Sequence, residues 1–235
     1  MPVNLLVVTG TGTGVGKTAV TAAIATLALA AGRSVAVVKL AQTGVGPGEE
    51  SDVDAVVRLC GLVETRELVR YPEPLAPATA ARRSGATPLR ADAMVAAVRQ
   101  LADRDLVLVE GAGGVLVRLD DRGATAADVA AGVDAAVLVV AAAGLGTLNA
   151  TALTCEALRQ RGLRCAGVVI GSWPPVPDLA CRANLTDLPA YAGAPLLGAL
   201  SAGAGDLDRD AFRTAARQGL GPALGGTWSA DRMGS

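Results

Sequence analysis

The sequence of 235 residues contains no histidine and very few aromatic side chains. The absence of histidine excludes Ser-His-Asp triads and metal sites with histidine ligands. Aromatic residues make up only 2% of the chain, so alanine, valine and leucine must form the core. With so few aromatic side chains, a surface on which nucleic-acid bases stack is not expected either. Several common kinds of site are therefore excluded at the outset.

Charge and cysteine content exclude further classes of protein. The chain has 21 Lys and Arg against 22 Asp and Glu, and it contains no basic block that would indicate a nucleic-acid partner. Its four cysteines form no C-x-x-C pair, so we expect reduced thiols in a cytoplasmic protein rather than a zinc site or disulfides. The first apolar run is short and has no basic segment before it, which predicts a strand and no membrane insertion.

Short apolar runs alternate with alanine-rich segments of helical pattern along the chain. Near-continuous apolar runs are typical of strands buried on both faces of a parallel sheet, so this alternation predicts a doubly wound α/β fold with a mainly parallel sheet. The predicted strands are Leu5–Thr9, Val35–Lys39, Leu106–Glu110, Ala136–Ala141, Ala166–Ile170 and Pro195–Leu200, with a short extra strand at Val115–Leu119. The predicted helices are Lys17–Ala31, Asp52–Cys60, Ala91–Ala102, Thr147–Arg161 and Asp178–Leu188. We expect one domain over residues 1–235, in which the glycine-rich residues 218–235 form a loose tail.

The most informative segment reads L-V-V-T-G-T-G-T-G-V-G-K-T at Leu6–Thr18. Glycines let backbone N–H groups turn towards anionic oxygens, and the following helix adds its positive N-terminus. In such a phosphate loop Lys17 reaches the β- and γ-phosphates and the Thr18 hydroxyl binds Mg²⁺. The motif is a variant, because Thr11 stands where the strict pattern has glycine. A flexible linker is the alternative interpretation, but an apolar strand and a helix bracket this segment.

Polar residues collect where the predicted strands end, which is where ligands bind in doubly wound sheets. Glu110 ends L-V-L-V-E before Gly-Ala-Gly-Gly, which indicates an acidic Mg²⁺ ligand opposite the phosphate loop. Lys39 ends V-A-V-V-K and is either a cation beside the phosphates or a lysine whose amine extends into solvent. Asp52 and Asp54 begin a helix as metal ligands or as acids that complement its dipole, and local sequence does not decide between the two.

Two further segments follow the later strands. Leu145–Asn149 reads L-G-T-L-N and opens a helix, for which Thr147 is the predicted cap. The free N–H groups of that helix could bind a carboxylate, and plain capping is an equally good interpretation. Trp173 lies beside two prolines and either walls a base pocket or fixes a loop to the surface.

In this order, the segments resemble the dethiobiotin synthetase family of phosphate-loop enzymes, which is related to the Min and Par ATPases. The resemblance extends from Val3 to about Leu200. The matching stretches are Thr9–Thr18, Lys39–Gly44 (K-L-A-Q-T-G), Val109–Gly114 (V-E-G-A-G-G) and Leu145–Asn149. It implies a C–N bond-forming cyclo-ligase of biotin biosynthesis. This enzyme makes the ureido ring of dethiobiotin from 7,8-diaminopelargonic acid, CO₂ and ATP, through a carbamate that ATP phosphorylates.

The resemblance also implies roles for single residues. Lys17, Lys39 and Thr13 are the implied catalytic residues, and Thr18, Asp52 and Glu110 are the implied Mg²⁺ ligands. Asp52 is chosen over Asp54 because the family's metal aspartate lies six residues before an arginine, as Asp52 does before Arg58. The implied nucleotide-binding residues are Gly12, Thr13, Gly14, Val15, Gly16, Lys17, Thr18, Asp52, Glu110, Gly111, Ala112, Gly113, Gly171, Ser172, Leu200, Ser201 and Ala202. The implied substrate-binding residues are Thr13, Lys39, Thr43, Gly146, Thr147, Leu148 and Asn149.

Members of this family are cytoplasmic homodimers. The resemblance therefore implies that residues 146–149 of one subunit hold the carboxylate of the substrate bound to the other. Mg²⁺ is the implied cofactor and ATP the implied co-substrate. Other nucleoside triphosphates are also predicted to serve, because Gly171 stands where some relatives have an adenine-reading asparagine. A Min/Par-type switch ATPase is the alternative function, but those proteins carry a second lysine where this chain has Gly12. A second alternative is a synthetase related to cobyrinic acid a,c-diamide synthase. It is disfavoured because such an enzyme needs a glutaminase domain with a Cys and a His, and this chain is too short and has no histidine.

Overall fold

The computed structural model describes residues 4–230, which contain nine β-strands and eight α-helices. The strands are β1 (Leu5–Gly10), β2 (Val35–Lys39), β3 (Gln42–Thr43), β4 (Glu64–Glu67), β5 (Arg70–Tyr71), β6 (Leu106–Gly114), β7 (Ala136–Ala141), β8 (Cys165–Trp173) and β9 (Leu196–Ser201). The helices are α1 (Lys17–Ala30), α2 (Asp52–Cys60), α3 (Pro77–Ser84), α4 (Ala91–Arg99), α5 (Ala126–Gly132), α6 (Thr147–Arg159), α7 (Leu179–Ala192) and α8 (Arg209–Gly219).

Seven strands form one sheet in the order β4-β2-β6-β1-β7-β8-β9, and every neighbouring pair in it is parallel. Strands β2 and β7 are buried along their whole length, as expected for a sheet covered on both faces. The short strands β3 and β5 pair in a separate two-stranded sheet. The predicted doubly wound α/β fold is therefore confirmed.

Alternate side chains of the central strands point to opposite faces, and each face packs against its own helices. On one face Val8 of β1 joins a core with Val56 of α2 and Phe212 of α8, beside the alanine-rich α1. On the other face Val7 joins a core with Met94 of α4 and residues of α5 and α6. This three-layer arrangement leaves the carboxyl ends of β1, β2 and β6 together at one edge of the molecule.

The predicted strand at Val115–Leu119 is wrong. Strand β6 instead continues through Gly114, and a turn follows at Val115 and Leu116. The sequence also gave no indication of β4, which reads E-T-R-E and lies at the edge of the sheet, where charged side chains remain partly solvated. Helices α3, α5 and α8 were likewise not predicted.

The expected loose tail is wrong for the part that lies within the described residues. Helix α8 continues to Gly219, and the backbone N–H of Thr227 donates to the Arg217 carbonyl at 2.7 Å. The Trp228 side chain is only 7% exposed and packs with Trp173. Burial of this large side chain against the sheet is what fixes the segment. The last five residues of the expected tail, 231–235, lie outside the described residues.

None of the helices within residues 4–230 has both the length and the hydrophobicity that crossing a membrane requires.

Candidate active site

The loop between β1 and α1 has the conformation of a phosphate cradle. Gly16 caps α1 in the left-handed region with φ of 93°, and Gly14 also has a positive φ of 74°. These values favour glycine because a Cβ is disfavoured there. Lys17 begins the helix, is buried, and donates from Nζ to the carbonyl of Gly12 at 2.8 Å. The strand–loop–helix arrangement predicted from the sequence is therefore confirmed.

The phosphate loop packs directly on the backbone at the end of β8. An ideal Cβ on Gly16 would lie 2.4 Å from the carbonyl oxygen of Gly171, and one on Gly171 would lie 2.1 Å from that of Val15. Neither position accepts a side chain without movement of the backbone. Gly171 is thus a packing position beneath the loop rather than a site from which a side chain could read a base.

A buried ion cluster lies beside the loop. Lys39 and Glu110 are paired in register at the ends of neighbouring strands β2 and β6, and Lys39 Nζ donates to Glu110 Oε1 at 2.7 Å. The Lys39 ammonium also pairs with Asp52, and the Thr18 hydroxyl donates to Glu110 Oε1 at 2.9 Å. Lys39 is 4% exposed, so the alternative that its amine extends into solvent is wrong. The carbonyl of Gly111 accepts a further bond from Lys39 at 3.3 Å.

The two lysines of the site differ in their electrostatic surroundings. Burial on its own favours the neutral amine of Lys39, but the Glu110 and Asp52 carboxylates outweigh it and raise the pKa of Lys39. Burial lowers the pKa of Lys17, with the nearby ammonium of Lys39 acting in the same direction and Glu110 opposing it. Lys39 is therefore held as a cation at the strand ends.

The structure distinguishes the two aspartates at the start of α2. Ser51 caps this helix, and its backbone N–H and hydroxyl both donate to Asp54 Oδ2, at 3.0 and 2.6 Å. This capping box engages Asp54 and lowers its pKa, mainly through the bond from the Ser51 side chain. Asp52, one residue after the cap, faces Lys39 instead. Of the two aspartates, Asp52 is the one that lies in the site.

The donor set of Thr18, Asp52 and Glu110 fits Mg²⁺ in kind. All three side chains offer oxygen, the ligand that this hard cation prefers. Among residues 4–230, no group of three His, Cys, Asp or Glu side chains could hold a metal ion by itself. Mg²⁺ characteristically uses one or two carboxylates together with phosphate oxygens and waters, so two carboxylates and a hydroxyl beside a phosphate loop suffice.

A cavity of about 700 Å³ extends from the loop past the ion cluster. Eleven of the residues implied by the resemblance line it: Thr13, Gly14, Gly16, Lys17, Thr18, Lys39, Thr43, Asp52, Glu110, Ala112 and Gly113. Sequence reasoning missed the other lining residues: Ala19, Ala41, Gln42, Pro74, Leu75, Ala76, Pro77 and Val117. Four of these, Pro74, Leu75, Ala76 and Pro77, come from one proline-rich segment, and none of their side chains carries a polar group that would have indicated a site.

The residues implied for the nucleotide base lie outside this cavity. Ser172, Ser201 and Ala202 are exposed at the ends of β8 and β9, whereas Leu200 is fully buried in the core. The backbone N–H of Ala202 donates to the carbonyl of Trp173 at 2.8 Å and ties the two strand ends together. Trp173 is 7% exposed and packs inside the molecule, so it fixes this segment and does not wall an open pocket.

The L-G-T-L-N segment also lies outside the main cavity. Asn149 lines a second cavity of about 470 Å³ together with Leu116 and Leu153, and Val117 lines both cavities. The prediction that Thr147 caps α6 is wrong, because Gly146 is the cap residue and makes no side-chain bond. The Thr147 hydroxyl is drawn inward instead and donates to the Ala142 carbonyl at 2.7 Å.

The glycine-rich loop between β1 and α1 lies beside a lysine and a carboxylate at the ends of neighbouring parallel strands. Together these features define a phosphate-loop NTPase. Comparison with solved structures agrees on the fold. A ParA family ATPase from Chlorobium tepidum matches with a TM-score of 0.58 at 12% identity, covering 94% of this chain and 97% of that one. The septum site-determining protein MinD from Pyrococcus horikoshii, solved with Mg-ADP, matches with a TM-score of 0.53 at 16% identity, covering 90% and 85%.

Sequence comparison identifies the family. Residues 4–204 match the family described as an AAA domain. The chain is 61% identical to an ATP-dependent dethiobiotin synthetase from Streptomyces coelicolor, over 100% of this chain and 98% of that protein. It is 65% identical to another from Saccharopolyspora erythraea, over 96% and 99% of the two chains. The chain belongs to the ATP-dependent dethiobiotin synthetase family.

Proposed function

We propose that this site synthesises dethiobiotin from 7,8-diaminopelargonic acid, CO₂ and ATP. One amine adds to CO₂ and loses a proton to give a carbamate, whose oxygen attacks the γ-phosphorus of ATP and releases ADP. The second amine then attacks the carbamoyl carbon, loses a proton, expels phosphate and closes the ureido ring. The observation that supports this ligase chemistry best is the buried Lys39 cation, which lies between Glu110 and Asp52 beside the phosphate loop.

The residues of the site have separate proposed roles in binding phosphate, holding the metal and compensating charge. Gly12–Thr18 binds the phosphates, and Lys17 exchanges its bond to the Gly12 carbonyl for a phosphate oxygen. Thr18, Asp52 and Glu110 would hold Mg²⁺, which neutralises phosphate charge when bound. Lys39 compensates the charge on the carbamate and the γ-phosphate as the transition state forms.

The cavity also suits the substrate. Thr13 and Thr43 line it and are proposed to orient the two amines by hydrogen bonds. Leu75, Pro77 and Val117 give it an apolar wall, against which the aliphatic chain of a diamino acid can pack. Phosphoryl transfer needs positioning and charge stabilisation more than acid–base catalysis, so a chain without histidine is adequate.

We infer that the enzyme acts as a homodimer in which residues 146–149 of a second copy bind the substrate carboxylate. Within one chain these residues do not line the phosphate cavity, and Asn149 opens on the neighbouring one. Exposed leucines surround this region: Leu145 is 94% exposed, Leu153 58% and Leu116 51%. Covering these leucines with a second copy would bury apolar surface. We also infer that the enzyme acts in the cytoplasm, which suits a biosynthetic step that consumes ATP.

Phosphate release by the purified protein, measured with and without diaminopelargonate and bicarbonate, tests the proposal. We expect release to depend on the diamine, and mass spectrometry to detect dethiobiotin in equal amount. Phosphate release that is independent of the diamine, with no dethiobiotin formed, would favour a switch ATPase instead.

A further inference from the structure

Gln42 is a buried polar residue of the cavity to which the reaction scheme assigns no role. It lies on β3, three residues after Lys39, and its side chain is 5% exposed. Its Oε1 accepts a hydrogen bond from the backbone N–H of Asp52 at 3.0 Å. Its Nε2 donates to the carbonyl of Thr43 at 3.3 Å, and its own backbone N–H donates to Val69 at 2.9 Å. The amide is thus fixed at both ends.

The bond from Asp52 to Gln42 is a second cap on the first turn of α2. The first N–H groups of a helix have no partner within it, and Ser51 Oγ accepts only from Asp54, at 3.3 Å. Gln42 lies on a separate strand and accepts from the backbone N–H of Asp52, the first residue of the helix, whose carboxylate lies in the site. The Ser51 cap stabilises the helix end, whereas the Gln42 bond fixes the residue that pairs with Lys39.

We propose that Gln42 is a positioning residue that holds the Asp52 carboxylate in place for Mg²⁺ and for Lys39. This inference rests on the proposed function, in which Asp52 is a metal ligand. A glutamine suits the task because it supplies an acceptor to the Asp52 N–H without adding a third carboxylate to the cluster. Through the Thr43 carbonyl, the same side chain couples the metal side of the cavity to the substrate side.

The test compares two variants that each remove one cap from α2. Gln42→Met keeps the length of the side chain but removes the acceptor to Asp52, and Ser51→Ala removes the acceptor to Asp54. Mg²⁺ is titrated into each protein with ADP, and affinity is measured by calorimetry without turnover. We expect Gln42→Met to weaken Mg²⁺ binding by roughly tenfold or more, the usual effect of losing a partner that orients a metal ligand. The Mg²⁺ affinity of Ser51→Ala is expected to stay within about twofold of wild type, although its Tm falls by about as much as that of Gln42→Met.

Hydrogen exchange at the Asp52 amide gives a second readout. We expect the Asp52 amide to be protected from exchange in the wild type and in Ser51→Ala, and to lose this protection in Gln42→Met. Wild-type Mg²⁺ affinity in Gln42→Met would overturn the proposal, as would an equal loss of affinity in both variants, because the effect would then belong to the helix end. Dethiobiotin formation by the wild type is measured separately, and its absence would overturn the proposed function while the Mg²⁺ titration still decides the role of Gln42.

Discussion

Lys39 and Glu110 are buried charged residues, and burying either one without an opposite charge beside it would be strongly unfavourable. Their side chains are about 5% and 2% exposed, and each compensates the charge of the other, with Asp52 as a third member. Local sequence left Lys39 open between a buried and a solvated role, because the outcome depends on which strand lies beside β2. Parallel pairing of β2 with β6 sets Lys39 against Glu110. Contacts of this kind follow from sheet order, which composition and periodicity do not encode.

Lys39→Met tests the charge at constant length. We expect kcat to fall by roughly 10²- to 10³-fold, the range found when one group that stabilises transition-state charge is removed. Nucleotide affinity should change only a few-fold, because the phosphate loop is intact. Steady-state kinetics and ADP binding by calorimetry measure the two quantities. An unchanged kcat combined with a large loss of ADP affinity would identify Lys39 as a ground-state phosphate contact.

Glu110→Gln tests the strand-end carboxylate. The amide keeps the shape of the side chain and can still accept from Thr18 and Lys39, but it removes a negative ligand for a hard cation. We expect the Mg²⁺ concentration for half-maximal activity to rise by roughly tenfold or more. Circular dichroism serves as the control for folding. The same Mg²⁺ dependence as wild type would mean that Glu110 has only a structural role.

At the scale of elements, the sheet order determines which predicted residues meet. The carboxyl ends of β2, β6 and β1 are adjacent, so the phosphate loop, Lys39 and Glu110 converge as the sequence predicted. Buried strands were predictable because both of their faces are apolar. Segment 219–230 was not, because its glycines resemble a linker and only the burial of Trp228 shows that it packs.

The contact between the phosphate loop and β8 can be tested with one added methyl group. In Gly171→Ala the new Cβ would lie 2.1 Å from the Val15 carbonyl oxygen, so the loop backbone must move. We expect ADP affinity to fall by roughly tenfold, about 1.4 kcal/mol, while the fold is retained.

Gly205→Ala is the control for the added methyl group. It adds the methyl group outside the phosphate loop and the cavity, at a position where nothing lies within 4 Å of the Cβ. Its ADP affinity is therefore expected to stay close to that of the wild type. Equal affinities in the two variants, measured by calorimetry, would show that the loop does not depend on its packing against β8.

At the scale of the whole molecule, the main cavity and the L-G-T-L-N segment occupy neighbouring but separate parts of one chain. Residues of the loop between β1 and α1 line the first cavity and Asn149 lines the second, and Val117 lines both. A two-fold dimer brings the same patch of each copy against the other, so each segment can complete the site of its partner. In the proposed homodimer, this arrangement would make a site that neither copy forms alone.

Mixing two defective variants tests the shared site. Lys17→Ala removes the phosphate-loop lysine, and Asn149→Asp sets a negative charge against the substrate carboxylate, so each homodimer is expected to be nearly inactive. If residue 149 acts across the interface, a heterodimer contains one site with both defects and one with neither. Random pairing then restores about a quarter of wild-type activity, since half of the dimers are mixed and each has one intact site. Co-expression with two different tags and native mass spectrometry establish that heterodimers form. Heterodimers that remain inactive would place Asn149 in the site of its own subunit and exclude the shared site.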